Sequence, residues 1–260
     1  MNCISARVGK IDPQTQSSVA ISGESEEIQK WWLINASPDL PQQIESTKGL
    51  HPSRNAPRNT PIAGVLLTNA DIDHALGLLL LRQQDKPLVV YAAEETRNAL
   101  AWLDAALARF CGIEWREVSS NFQTLSGNIA FRAIELSHSI AFQFRDEKSG
   151  RLALIAPAIS QLTPQLSEAC ADCDVVLFDG TFWNDDELAG VRPGARSARA
   201  MNHLPITGGT FDFLRRTAAS RKIYTHINNT NPILTPGSPE RAELEQAGIE
   251  VGYDGLDIVL

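Results

Sequence analysis

Three short apolar runs in this sequence stop abruptly at carboxylates or histidines. GVLLT (64–68) gives way to NADIDH (69–74), VVLF (175–178) to Asp179, and KIYT (222–225) to HINN (226–229). Runs of this length and composition read as buried strands. A buried carboxylate has to be paired, hydrogen-bonded or bound to a metal. Strand ends in layered α/β folds are also where sites assemble. Strand ends that carry Asp71, Asp73, His74, Asp179 and His226 therefore restrict the chain to layered architectures.

The rest of the pattern narrows the choice. TQSSVAIS and WWLINAS read as strands, and residues 39–61 as a long loop without periodicity. HALGLLLLRQQ (74–84) is predicted as a helix, LVVYA (88–92) as a strand, and residues 94–110 as one amphipathic helix. IEWREV, NIAFRAIEL, IAFQFRD and RLALIAP are four strands, followed by helices over 163–172, the TGGTFDFLRRTAAS stretch and 239–247. Mixed βαβ units around antiparallel strands suggest an α/β (α+β) fold with helices outside two packed sheets, a four-layer αββα sandwich. The chain is read as one domain over residues 1–260.

Composition excludes several classes. The chain has 260 residues, 43% hydrophobic and 21% charged, an ordinary globular balance. A net charge of −8 argues against nucleic acid as the main partner. No apolar run approaches the ~20 residues of a membrane span, and MNCISARVGK has no signal-peptide core. These features predict a cytoplasmic protein. Cys3, Cys111, Cys170 and Cys173 are too scattered for a disulfide scaffold. Cys170 and Cys173 form a lone CxxC, which favours apolar packing over zinc.

Two histidines with carboxylates suit a divalent metal, zinc or non-haem iron(II) among them. Asp71 or Asp73 could instead cap a helix starting near His74. Capping leaves His74, Asp179 and His226 unexplained. His138, at a turn between two strands, is either a further ligand or a surface histidine. His203, before a helix, is a candidate proton shuttle or substrate contact, since histidine titrates near neutrality; the alternative is a residue that fixes that helix.

NADIDH resembles the H-x-H-x-D-H motif of the metallo-β-lactamase superfamily, with Asn69 and Asp71 in place of the first two histidines. Asp179 matches the metal-bridging Asp of that superfamily, and His226 its last histidine. NASPDL, FDGTFWNDDE, MNHLPITGG, HINNTNPIL and SPERAEL are similar to the pyrroloquinoline quinone (PQQ) biosynthesis protein B family over nearly the whole chain. The resemblance implies a metallo-β-lactamase fold, lacking the usual first strand and two cysteines of a C-x-C-x-x-C zinc motif. It implies a cytoplasmic non-haem iron hydroxylase acting on the tyrosine ring of a peptide-derived Glu–Tyr substrate, alongside other PQQ biosynthesis proteins. Metal ligands would be Asp71, Asp73, His74, Asp179 and His226, with Asn69 at or behind the metal; His138 is a candidate for the same place from its own position in the turn, not from the resemblance. His203 would be catalytic, and Asn228 and Asn229 would contact substrate. The alternatives are a metal-dependent hydrolase or phosphodiesterase, and a carrier of the quinone or its precursor toward the periplasm.

Overall fold

A computed structural model describes residues 2–24, 29–52 and 59–260. The chain separates into two compact units. An N-terminal unit spans 15–133 and 145–148; a C-terminal unit combines 1–14, 134–144 and 149–260. In chain order the elements are α1 (Asn2–Arg7), β1 (Val19–Ser22), β2 (Trp31–Ile34), α2 (Leu40–Ser46), β3 (Ile62–Leu66), α3 (Ile72–Ala75), β4 (Leu88–Ala92), α4 (Glu94–Ala99) and α5 (Ala101–Leu107). They continue with β5 (Ile113–Glu117), β6 (Gln123–Ser126), β7 (Ile129–Glu135), β8 (Ile140–Asp146), β9 (Leu152–Ala156), α6 (Pro164–Ala171) and β10 (Val175–Asp179). The last are α7 (Glu187–Val191), α8 (Thr210–Arg216), β11 (Arg221–Thr225), α9 (Pro239–Gln246) and β12 (Glu250–Val251).

The N-terminal unit is built on a five-stranded sheet of order β1-β2-β3-β4-β5. β1 pairs antiparallel with β2, and β2 to β5 run parallel. Its core gathers Leu33, Val65, Leu67, Leu78, Leu88, Val90, Leu103 and Leu107, each at most 1% exposed. Burying each such side chain is worth about 1.5–3 kcal/mol, which offsets the ordering of the crossover segments.

Three expectations fail here. The helix predicted over 74–84 is only the four-residue α3 followed by a 3₁₀ stretch, Leu76–Leu81. The reason is a close backbone approach at Gly77. Its N–H donates to Ala36 O at 2.8 Å, while Ala36 N donates to His74 O at 2.7 Å. A Cβ at residue 77 would lie 2.3 Å from Ser37 O. Tertiary contact with the end of β2, rather than helical propensity, therefore sets this backbone. The helix predicted over 94–110 is two helices, because Leu100 leaves the helical region at φ −98° and ψ 13°. The loop predicted over 39–61 contains α2, with Pro41 in its first turn, and a 3₁₀ turn at Lys48–Leu50; its residues 53–58 lie outside the described ones.

The second sheet has seven strands in the order β12-β11-β10-β9-β8-β7-β6. β6 and α7 were not expected; four residues of β6 and the polar start of α7 carry no periodicity. In the C-terminal unit β9, β10, β11 and β12 run parallel. Val175–Asp179 is buried throughout. Its core includes Leu154, Val176, Phe178, Ile206, Leu214, Tyr224 and Leu244, with Cys170 and Cys173 packed among them. No disulfide is formed. α6 and α9 start at Thr-Pro and Ser-Pro: the Thr163 hydroxyl accepts from Leu166 N and the Ser238 hydroxyl from Arg241 N, both at 3.1 Å. Each supplies an N-cap with proline just inside it. No described helix is long and apolar enough to cross a membrane. Among the described residues three non-glycine ones are left-handed: Asn35 (φ 61°), Asn202 (φ 64°) and His226 (φ 55°).

Candidate metal centre

In the C-terminal unit β10 delivers Asp179 and β11 delivers His226, one residue past the strand end. Asp179 is 1% exposed, and both its oxygens are held. Oδ1 accepts from the backbone N–H and the hydroxyl of Thr181, at 2.9 and 2.6 Å. Oδ2 accepts from Ile159 N at 2.8 Å and faces His203 Nδ1 at 2.7 Å. Burial pushes the Asp179 carboxyl toward a higher pKa. The charge and hydrogen bond of His203, with His226 and Thr181, outweigh that and hold it below its ordinary value.

Thr181 is the hub of this cluster. Its hydroxyl lies 2.7 Å from His226 Nδ1 and 3.1 Å from His203 Nδ1. The two imidazoles stack with centroids 5.3 Å apart, and Phe182 meets His203 edge-on. Residue 181 was absent from the sequence reading. The signal that could have found it is the DGT triplet: an Asp at a strand end followed two residues later by a hydroxyl residue is an Asx-turn pattern.

In the N-terminal unit the NADIDH stretch closes on itself. His74 is fully buried, and its Nδ1 lies 2.6 Å from Asn69 Oδ1. Thr68 Oγ1 lies 3.2 Å from the same nitrogen. Asn35 Oδ1 accepts from Thr68 N at 2.9 Å and Thr68 Oγ1 at 3.1 Å. Asn69 Nδ2 donates to Asp71 Oδ2 at 2.7 Å. Asp71 occupies the N-cap position of α3, yet its side chain caps no backbone N–H. Asp73 Oδ2 lies 3.9 Å from His74 Nε2. Asn69 thus orients a histidine, and Asn35 and Thr68 are supports that the sequence reading missed.

The remaining candidates divide. Asn228 N donates to Thr181 O, and its amide donates to Thr230 Oγ1 at 2.7 Å. The exposed Asn229 donates to Cys3 Sγ at 3.2 Å. Both side chains brace their own loop and its neighbours. His138 is exposed in the turn between β7 and β8 and belongs to no candidate ligand group among the described residues.

The donor chemistry fits a divalent cation. One ligand atom each from Asp179, His203 and His226 lies within 4.8 Å of the others. Carboxylate and carboxamide oxygens accept hydrogen bonds, so His203 and His74 carry their protons on Nδ1. Thr181, donating to Asp179, can accept from His226 Nδ1. Each ring then holds its lone pair at Nε2, the arrangement of metal-binding histidines whose other nitrogen is hydrogen-bonded.

Two sheets of this topology with Asp and His at the strand ends define the class. Residues 30–227 match the family described as beta-lactamase superfamily domain, and the chain has the metallo-β-lactamase fold. More narrowly, the chain belongs to the coenzyme PQQ synthesis protein B family. It is 38% identical to the protein of that name from Cupriavidus necator, over 100% of this chain and 92% of the relative. Identity to the Cupriavidus taiwanensis protein is 39%, with the same coverage. Zinc-bound PqqB from Methylobacterium extorquens superposes with a TM-score of 0.85 at 31% identity, covering 99% of this chain and 92% of that one. A diphosphatase of the PhnP family shares the fold at a TM-score of 0.67 and 18% identity, covering 94% of this chain and 85% of that one.

Proposed function

We propose that this chain acts in PQQ synthesis as a metal-dependent hydroxylase of a tyrosine ring in a peptide-derived Glu–Tyr substrate. Its relatives' names support the pathway. The observation that carries the enzymatic reading is the Asp179–Thr181–His203–His226 cluster, in which a buried acid and a hydroxyl hold two imidazoles by Nδ1. The ligand set proposed from the sequence is Asp73, His74, Asp179 and His226, with Asp71 close by; His203, which shares a candidate ligand group with Asp179 and His226, is assigned in this reading to proton transfer rather than to the metal. Iron(II) is the proposed metal; a zinc-bound relative supports a divalent ion in general. When bound, iron would supply the redox chemistry with dioxygen.

The chain's own residues supply the rest. His203, with Nδ1 against Asp179, presents Nε2 as the nitrogen able to take or return a phenolic proton. The carboxylate stabilises the imidazolium that forms. A positioned acid–base group of this kind is worth about 10²–10⁴-fold in rate. Phe182 packs on the ring edge and limits its rotation. The cytoplasm is the proposed location, with other PQQ synthesis proteins as partners.

The test is anaerobic reconstitution with iron(II), then oxygen uptake and product analysis with a Glu–Tyr dipeptide and ascorbate, whose two electrons reduce the second oxygen atom to water. Wild type should consume oxygen and yield ring-hydroxylated product. His203→Ala should keep its metal and lose turnover by about 10²–10⁴-fold, whereas His226→Ala should lose metal as well. Hydrolysis by a zinc-loaded protein without oxygen uptake would reverse the assignment. So would quinone binding with no turnover under any metal.

A further inference from the structure

α7 carries an acid, Glu187, that stands outside the cluster around Asp179. Glu187 is half-buried, and its two oxygens hold two different loops. Oε2 accepts from Trp183 N at 2.6 Å, in the loop that follows β10 and carries Thr181. Oε1 accepts from the hydroxyl of Thr230, in the loop that follows β11 and carries His226. Burial pushes the Glu187 carboxyl up, against the opposing pull of Thr230 and the Trp183 and Asn184 backbone.

The loop it grips has a demanding path. His226 sits at φ 55°, a conformation that persists in a non-glycine residue only when its surroundings over-determine it. The fastenings are visible. Thr181 Oγ1 contacts His226 O at 2.9 Å, Asn228 N donates to Thr181 O at 3.1 Å, and Asn231 Nδ2 donates to Gly180 O at 2.8 Å. All three join residues 226–231 to the strand end at 180–181. Glu187 extends the same seam. The Asn228 amide donates to Thr230 Oγ1, and the Thr230 hydroxyl donates to Glu187. The hydrogen-bond chain thus runs from α7 to the residue two positions after His226.

We propose that Glu187 is a positioning residue for His226: through Thr230 and Asn228 it fixes the 226–231 loop, and with it the direction of the imidazole. The importance of that direction rests on the reading of His226 as a metal ligand. The positioning itself is a property of the metal-free chain. Glutamine can keep both links, because its carbonyl can accept from Trp183 N while its amide donates to Thr230 Oγ1, whose own proton then turns to solvent. Geometry is what the position needs, not charge.

The test reads His226 directly. In metal-free protein, the His226 ring ¹⁵N and ¹H resonances are assigned by their loss in His226→Asn and compared across Glu187→Ala, Glu187→Gln and Thr230→Val. Zinc affinity is then measured on the same samples by calorimetry. Glu187→Ala should shift or broaden the His226 signals and weaken zinc about tenfold, as loss of a supporting residue around a metal does. Glu187→Gln should restore both. Thr230→Val, which cuts the same link from the other side, should follow Glu187→Ala and serves if that variant fails to fold. Unchanged His226 signals in Glu187→Ala or Thr230→Val overturn the proposal, whatever happens to the melting temperature. If wild-type zinc binding ignores His226→Asn, the metal reading fails, while the metal-free resonances still decide the positioning role.

Discussion

Replacing Thr181 by valine deletes one hydroxyl and almost no volume, so it isolates the hub of the site. That oxygen contacts Asp179 Oδ1 at 2.6 Å and His226 Nδ1 at 2.7 Å, at a residue 7% exposed. A hydrogen bond to a charged group contributes about 1.5–3 kcal/mol, and stranding a buried polar partner adds about 1–3 kcal/mol. The two overlap here, since Asp179 keeps the Thr181 N–H. The expected loss is about 3 kcal/mol. Thr181→Ser is the control: it keeps the hydroxyl and removes one methyl, a loss of about 1 kcal/mol. Urea unfolding of chelator-treated protein, followed by circular dichroism and tryptophan fluorescence, gives both values if the two probes coincide. In a chain this long the valine variant should melt about 6–12 °C lower. A valine variant as stable as the serine variant would refute the hub.

Three further outcomes are expected. Because Asp179 is held below its ordinary value, its stabilising contribution is present above about pH 4 and disappears as pH falls through the lower folded value. Asp179→Asn should therefore flatten the acid limb of urea stability below about pH 4; an unchanged slope counts against the ion pair. Asn35→Ala should cost about 2–4 kcal/mol, since it removes the acceptor for Thr68 N and Oγ1 while keeping a left-handed backbone. Asn35→Gly should recover about 1 kcal/mol of that in the same denaturation assay. Gly77→Ala should cost more than about 2 kcal/mol, because its Cβ would sit 2.3 Å from Ser37 O; a thermal scan within a degree of wild type would show that the β2 end yields freely.

The strands around the site were legible because burial on both faces writes them as unbroken apolar runs. LVVYA became β4 over the same residues, 88–92, and VVLF with Asp179 became β10. The charged ends were legible for the complementary reason: Asp179 and His74 are too costly to bury without partners. What stayed hidden depends on contacts between distant residues. Nothing near Gly77 announces that Ser37 O lies against it, so the apolar stretch 76–81 looked like an α-helix. Asn35, Thr68 and Thr181 are small polar residues with ordinary local roles, and their function shows only once an imidazole lies beside them. Asn228 and Asn229 stood out through family resemblance; in the structure the Asn228 amide braces its own loop and the exposed Asn229 reaches Cys3.

The left-handed turn at His226 steers as well as binds. Side chains alternate along a strand, so an extended residue 226 would point to the same face as Tyr224, which is fully buried in the core of the C-terminal unit. The change in φ at the last possible residue takes the imidazole off that course and leaves it against Thr181 and His203. One position thus answers two unrelated demands. The path of the chain is served most cheaply by glycine or asparagine; the chemistry is served by an imidazole. A descendant that changed this residue to either would keep the route of its backbone and relieve a local strain. It would be at least as sound a fold, and it would have given up the ring.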